Sequence, residues 1–264
     1  MVSLDPHGAD PVFHALWVLL GGLAGAIVGS FLATLVLRWP AGTGLGGRSR
    51  CDGCGRAIGA AALVPLLSYL VLRGRCRACG DSIDRRHPAI ELGAAAIGAV
   101  ALAIAPGPAG AAGAVFGWLL LTLAILDLEH FWLPDRLTGT LAAAGLCAGL
   151  AGVAPPLATR IIGGLVGFAA LAGIGFLYAR LRGRVGLGQG DPKLLGAIGL
   201  WLGWPALPLV LLGASLIGLG AVAALRLTGR RIRATDRLPL GTLMAAASWL
   251  LWCATTRGNV IIPA

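Results

Sequence analysis

The sequence predicts an all-α membrane protein with about eight transmembrane helices and one small cytoplasmic loop domain. Hydrophobic residues make up 57% of the 264 residues and charged residues only 12%, whereas soluble domains carry about 25% charged residues. The mean hydropathy is +0.85. The 42 glycines suit close packing between membrane helices. So few charged side chains cannot form a water-compatible surface, and we therefore expect the lipid bilayer to surround the chain.

The predicted spans come from the apolar segments, because a helix needs about 20 residues to cross a bilayer and about 17 are tolerated. Segment 194–225 contains Pro205 and Pro208, and we interpret it as two short helices that turn at these prolines. The first segment follows Asp5 and Asp10 without a preceding Lys or Arg, which favours a retained helix over a cleaved signal peptide. The apolar segments are 13–37, 88–105, 109–126, 137–153, 161–179, 194–225 and 238–254.

The distribution of basic residues predicts the orientation, since loops rich in Lys and Arg stay in the cytoplasm. With eight spans and the N-terminus outside, all of the 21 basic residues except Arg160 and Arg257 lie on the cytoplasmic side. A single helix over 194–225 would move the basic loop 226–237 outside, so two helices are preferred. The net charge of +10 thus reflects membrane orientation, and we expect no nucleic-acid partner.

The long cytoplasmic loop is expected to be a domain of its own, residues 38–87, between an outside tail with the first helix (1–37) and the remaining helices (88–264). It holds two Cys-x-x-Cys pairs, each followed by glycine and separated by 21 residues. This pattern is typical of a structural zinc site, in which four thiolates complete a tetrahedron. Two disulfides are the alternative, and the reducing cytosol disfavours them. The predicted ligands are Cys51, Cys54, Cys76 and Cys79.

Two of the eleven acidic residues lie at the ends of apolar segments. Asp127 ends the third span, and Asp191 begins the sixth, three positions before Leu194. An ionisable side chain costs about 2.5–3.5 kcal/mol at the centre of a membrane helix and less at its edge, so both are candidates for function. Two close carboxyl groups share one proton, which lets one act as base and the other as acid in peptide hydrolysis.

Acids at the ends of membrane helices can also have structural or transport roles. Asp191 precedes Pro192 and could be a helix N-cap with proline at the first helical position. Ion-coupled transporters place acids beside glycines as well, although nearer the midplane of the bilayer. Glu91 is expected to pair with an arginine. The glycine run 186–190 follows a basic linker and no strand, so it does not predict a nucleotide-binding loop.

Short motifs along most of the chain resemble those of the type IV prepilin peptidases. The strongest are Asp127-Leu-Glu129-His130-Phe-Trp-Leu-Pro-Asp135 and Gly188-Gln-Gly190-Asp191-Pro-Lys193. The others are residues 29–32, 38–40 and 48–50, both cysteine pairs, and residues 66–70, 73–76, 88–92 and 239–241. The order of these motifs, more than any one of them, carries the resemblance.

The resemblance implies that Asp127 and Asp191 are catalytic and that the other residues of the two strongest motifs support them. It implies cleavage of the basic leader of prepilins or pseudopilins after a glycine, at the cytoplasmic face of the bacterial inner membrane. It further implies N-methylation of the new N-terminus from S-adenosylmethionine, an activity associated with the cysteine loop and its zinc. The supporting residues are Gly188, Gly190, Lys193, Asp135, Glu129 and His130.

Some positions depart from the family pattern, chiefly around the cytoplasmic loop. Ala33 stands where the family has asparagine, residues 61–65 are less polar, and Pro192 is unusual after the aspartate. A peptidase without methyltransferase activity is therefore one alternative. A membrane transporter or scaffold with a zinc ribbon is the other.

Overall fold

The computed structural model describes residues 11–258 except 43, 45, 48, 52, 60–62, 185 and 230–236. The described residues form nine α-helices and one 3₁₀ turn, Trp204–Ala206, and no β-strand. The all-α fold class is confirmed. The helices are α1 Pro11–Arg38, α2 Leu67–Val71, α3 Arg86–Ile104, α4 Pro108–His130, α5 Asp135–Leu150, α6 Leu157–Arg182, α7 Gly190–Leu202, α8 Leu207–Leu227 and α9 Leu240–Thr256.

Five helical segments in the described part are long and apolar enough to cross a membrane: α1, α3, α4, α6 and the 3₁₀ turn with α8. Helix α9 is apolar but shorter, and α5 and α7 have 16 and 13 residues. Segment 194–225 divides at Gly203, whose φ is +79°, and at Pro205, which confirms the predicted pair of helices. The chain is a multi-pass membrane protein. The predicted outside tail, residues 1–10, and most of the basic loop 226–237 lie outside the described residues.

The chain forms two compact units, Met1–Trp118 and Leu119–Ala264. In the first unit, α1 packs on α3 along a seam of small residues. A Cβ added to Gly29 would lie 2.8 Å from the Cα of Glu91 and 2.9 Å from the Cβ of Ala94. Gly21 and Gly25, which precede it at four-residue intervals along α1, meet α3 just as closely. Such spacing lets two membrane helices pack backbone to backbone.

The loop between α1 and α3 is attached to α3 by a buried carboxylate. Leu66, in a left-handed conformation with φ +60°, donates its backbone N–H to Oε2 of Glu91 over 2.8 Å. Glu91 is only 8% exposed. The partner seen for this carboxylate is thus a backbone amide, and not the arginine expected from the sequence.

In the second unit, Arg160 connects three helices from inside the protein. From the sequence we expected Arg160 in a loop on the outer side of the membrane. In the structure it belongs to α6, and its side chain is only 1% exposed. Its guanidinium donates to the carbonyls of Gly145 in α5 and Leu200 in α7 over 3.1 and 2.9 Å. It also donates to the carbonyls of Val153, Ala154 and Pro155. These carbonyls use all five N–H donors of the side chain, which explains how the charge is tolerated without a carboxylate.

Candidate functional site

Asp127 lies in the last turn of α4 and is 5% exposed. Helix α4 ends at His130, after which Phe131 takes a φ of +50° and donates its N–H to the Asp127 carbonyl over 2.9 Å. Pro134, at φ −62° and ψ 131°, then precedes α5. The chain therefore turns sharply just beyond Asp127, which places residues 131–134 beside the carboxylate.

The carboxylate of Asp127 is held by the N-terminus of α9. The backbone N–H of Thr242 donates to Oδ2 over 2.8 Å, and the Thr242 hydroxyl lies 3.2 Å from the same oxygen. Thr242 is the third residue of α9, so its amide is one of the donors that a helix leaves without an intrahelical partner. The positive end of the helix dipole also favours negative charge there. Sequence reasoning missed Thr242; the only signal was the Pro-Leu-Gly element before it.

Asp191 is the second residue of α7 and is 8% exposed. Its Oδ2 accepts the N–H of Gly188 over 3.1 Å, while its own N–H donates to the Gly188 carbonyl over 3.3 Å. The N-cap position belongs to Gln189, which makes no side-chain capping bond. The N-cap interpretation of Asp191 is therefore wrong, since the residue lies inside the first helical turn.

The two aspartates come together although 63 residues separate them in the chain. Leu133 is a shared neighbour of their surroundings, because it lies beside both Gly190, which precedes Asp191, and Gly241, which lies beside the Asp127 carboxylate. A Cβ added to Gly190 would lie 2.7 Å from Leu133 Cβ, and one added to Gly241 would lie 3.0 Å from Leu133 Cδ1 and 2.9 Å from Asp127 Oδ2. Glycine at both positions thus leaves the space that this arrangement needs.

The other acidic residues of the two motifs lie outside this buried pair. The Asp135 side chain is 73% exposed and accepts a hydrogen bond from Lys193 Nζ over 2.6 Å. Glu129 and His130 are neighbours in the chain with 3.7 Å between Oε2 and Nε2, which is too long for a hydrogen bond. Among the acids that the structure describes, only Glu91, Asp127 and Asp191 are buried, and Glu91 belongs to the first unit.

Two cavities adjoin the Asp191 side of the site. One of about 280 Å³ is lined by Gly188, Gln189 and Pro192 and by Phe176 of α6. The other, of about 610 Å³, is an apolar groove between α5, α6 and α7 that begins at the Asp135–Lys193 pair. Gly188, whose backbone N–H binds Asp191, is one of the residues that line the smaller cavity.

The four predicted zinc ligands form one cluster in the first unit. Their Sγ atoms all lie within 4.8 Å of one another. All four are free thiols, so the structure shows no disulfide among them. A tetrahedral Zn²⁺ with Zn–S bonds of about 2.3 Å needs sulfur atoms about 3.8 Å apart, and Cys51 Sγ and Cys79 Sγ are separated by 3.8 Å. The donor set and spacing therefore fit zinc.

Two equivalent turns build the cluster. In the first turn, Cys51 N–H donates to the Arg56 carbonyl over 3.0 Å and Gly55 N–H to the Cys51 carbonyl over 2.8 Å. The second turn repeats both bonds 25 residues later, from Cys76 to Asp81 over 2.7 Å and from Gly80 to Cys76 over 2.9 Å. Both glycines have positive φ, +67° at Gly55 and +76° at Gly80, which explains the glycine after each pair.

Backbone amides in the second turn favour a thiolate at Cys76. The amides of Cys79 and Ala78 donate toward its sulfur and lower the pKa of Cys76 to about 6. The Ala78 nitrogen lies 3.4 Å from Sγ. Since metals bind the thiolate form, the lowered pKa favours Cys76 as a metal ligand.

Comparisons with known proteins agree on the family. Residues 23–105 match the family described as Bacterial Peptidase A24 N-terminal domain, and residues 114–223 match the Type IV leader peptidase family. The first match contains the four cysteines, and the second contains both Asp127 and Asp191. No solved structure matches significantly.

Three relatives carry the name prepilin leader peptidase/N-methyltransferase. The chain is 46% identical to the protein of Burkholderia pseudomallei strain 1026b over 203 residues, which cover 75% of this chain and 64% of that protein. It is 41% identical to the Aeromonas hydrophila protein over 208 residues, 78% and 71% of the two chains. It is 33% identical to the Stutzerimonas stutzeri protein over 279 residues, 96% and 95% of the two. The match thus spans slightly less than two thirds of the Burkholderia relative and nearly all of the Stutzerimonas one.

Proposed function

Because the chain belongs to the type IV leader peptidase family, we propose that it is a membrane aspartyl endopeptidase that removes the basic leader of prepilins or pseudopilins. Cleavage follows a glycine of the substrate. The observation that carries the proposal is the buried pair Asp127 and Asp191, from two helices of the segment that matches the peptidase family. The names of the relatives support the substrate class.

The chemistry follows from two carboxyl groups that share a proton. The ionised aspartate takes a proton from a water molecule as the water oxygen bonds to the carbonyl carbon of the scissile peptide. The protonated aspartate gives its proton to the carbonyl oxygen. When the tetrahedral intermediate collapses, the C–N bond breaks, the leaving nitrogen takes the proton that the first aspartate received from water, and a hydroxyl group of the intermediate returns a proton to the other aspartate. The pair shares the proton as a unit, so neither aspartate is assigned a fixed role.

The second proposed activity is methylation of the newly formed N-terminal amine. S-adenosylmethionine would supply the methyl group, and this part of the proposal rests on the names of the relatives. We propose that Cys51, Cys54, Cys76 and Cys79 hold a structural zinc ion. Four thiolates occupy every position of a tetrahedral ion, so its contribution is to stabilise the turns of the loop.

The location proposed for the chain is the bacterial inner membrane, with the N-terminus outside. The support is the charge distribution, since nearly all basic residues lie in alternate loops. The proposed domain limits are residues 1–37, 38–87 and 88–264. This orientation places Asp127, at the end of α4, and Asp191, at the start of α7, on the cytoplasmic side.

The decisive experiment replaces each aspartate by asparagine in the full-length chain and follows cleavage of a co-expressed prepilin. Asp127→Asn and Asp191→Asn keep the shape of the side chain and remove its acid–base function, so each is expected to lower the cleavage rate by at least about 10³-fold. Asp84→Asn, a half-exposed loop position paired with Arg86, is the matched control. If either aspartate variant processes the prepilin at the normal rate, the peptidase proposal is refuted, and a transporter or scaffold is favoured.

Methylation is tested on the same processed substrate. Mass spectrometry of its N-terminal peptide is expected to show one added methyl group. An unmethylated product, formed at a normal cleavage rate, would establish a peptidase without methyltransferase activity.

A further inference from the structure

We propose that Thr242 is a positioning residue that holds Asp127 in both of its protonation states. The inference rests on the proposed peptidase function, because it concerns a partner of one of the two reacting carboxyl groups. Thr242 lies in none of the motifs that carry the family resemblance. It enters the site through the fold, from the N-terminus of α9, 115 residues beyond Asp127.

The two contacts between these residues fall on a single oxygen. Oδ2 of Asp127 accepts the Thr242 amide over 2.8 Å and lies 3.2 Å from the Thr242 hydroxyl. The amide bond keeps its direction in either protonation state, because a carboxyl oxygen has two lone pairs. Because Thr242 binds Oδ2, Oδ1 is the oxygen that would contact the water molecule or the substrate.

The hydroxyl of Thr242 has two neighbours and one proton. It donates to the Ala124 carbonyl over 2.8 Å, and Asp127 Oδ2 is its other neighbour. The Ala124 carbonyl is an acceptor of constant strength, whereas Asp127 Oδ2 is a strong acceptor when the carboxylate is ionised and a weaker one when Oδ1 carries the proton. The hydroxyl is therefore placed between a fixed acceptor and a group whose hydrogen-bonding character changes during the proposed reaction.

Each protonation state has a matching hydroxyl orientation. When Asp127 is ionised, the Thr242 hydroxyl turns its proton to Oδ2 and stabilises the charge. When Asp127 carries the proton on Oδ1, where it can be exchanged with the water molecule or substrate, Oδ2 still accepts the Thr242 amide, and the hydroxyl proton turns to the Ala124 carbonyl. Asp127 thus keeps a hydrogen bond to Thr242 throughout the cycle and needs no movement of its carboxyl group.

The test compares Thr242→Val, which keeps the shape and the backbone amide, with Thr242→Ser, which keeps the hydroxyl. Prepilin cleavage by the full-length protein in detergent is measured as kcat and KM. We expect Thr242→Val to lower kcat about 10- to 100-fold, the size of a lost hydrogen bond to a charged group, with KM unchanged. Thr242→Ser is expected to have a kcat within about threefold of the wild-type value. A role of Thr242 in packing alone would not produce this difference between the valine and serine variants.

Thr140→Val is the matched control. This exposed threonine of α5 donates its hydroxyl to the Arg136 carbonyl over 2.8 Å, as Thr242 does to Ala124, but it has no carboxyl neighbour in that bond. Wild-type kcat in Thr242→Val, or a serine variant as slow as the valine variant, would overturn the inference. If the valine variant does not fold, Thr242→Ala against Thr242→Ser makes the same comparison.

The experiments distinguish failure of the inference about Thr242 from failure of the peptidase proposal. If Asp127→Asn abolishes cleavage and Thr242→Val does not affect it, only the role of Thr242 is refuted. If Asp127→Asn cleaves normally, the peptidase proposal itself is refuted.

Discussion

The cysteine cluster and the aspartate pair are built in opposite ways. The cluster consists of two copies of one short turn. Within each turn the backbone hydrogen bonds of the cysteines join residues at most five apart, and the thiols are half-exposed or exposed. The aspartate pair is buried, and its parts come from α4, α7 and α9, which are distant in the chain. The first site is local and repeated; the second depends on the packing of a whole unit.

This difference decides what each site tolerates. A turn held by its own backbone keeps its geometry when distant residues change, and a cation bound by four thiolates stabilises it further. A carboxyl pair held between helices loses its geometry when any of those helices shifts. We therefore expect that a substitution at the cysteine cluster changes metal binding and leaves peptide cleavage nearly unchanged. A substitution at the aspartate pair should have the opposite effect.

The largest expected effect is complete loss of the metal from the cluster. Replacing Cys51 and Cys76 together by serine removes one ligand from each turn, so stoichiometric zinc, measured by elemental analysis, should disappear. Leader cleavage should change less than about threefold, because the aspartate pair belongs to the other unit. Cys147→Ser, an exposed cysteine of α5, should retain full zinc. Full zinc in the double variant would show that the cluster is not the metal site.

Next in size is a steric change at the aspartate pair. In Gly190→Ala the new methyl group would lie 2.7 Å from Leu133 Cβ, so α7 or the 131–134 turn must move. A displacement of about 1 Å costs roughly 100-fold in rate, and cleavage of the prepilin should fall by that factor with zinc content unchanged. Gly173→Ala in α6 meets nothing within 4 Å and should cleave normally. Equal rates in the two alanine variants would contradict the geometry described for Leu133.

The smallest effect concerns the scaffold of the second unit. Arg160→Met fills a similar volume but leaves carbonyls of α5, α7 and the 153–155 loop without their donor. The free energy of unfolding should fall by about 2 kcal/mol, measured by denaturation in detergent. Arg136→Met, at an exposed position, should change it by less than about 0.5 kcal/mol. An unchanged stability in Arg160→Met would mean that the buried guanidinium contributes no net stabilisation.

Much of the fold follows from the sequence, for identifiable reasons. A bilayer requires continuous apolar helices of a certain length, so apolar segments predict α1, α3, α4 and α6 directly. The division of segment 194–225 follows from its prolines and from the basic loop after it. The sequence analysis placed Arg160 in a loop on the outer side of the membrane, and no local pattern predicts that its side chain is buried. Only packing shows that five carbonyls surround it.

By itself, the sequence determined the membrane character, the cysteine turns and the family, because these depend on composition or on residues close together in the chain. Tertiary structure alone showed which carboxylates are buried: Asp127 and Asp191 lie inside, whereas Asp135 faces out and binds Lys193. It also brought Thr242 to Asp127, a contact that no local pattern encodes. The physical reason is that burial and hydrogen bonding between helices are properties of their packing, which arises from many small contacts distributed over distant segments.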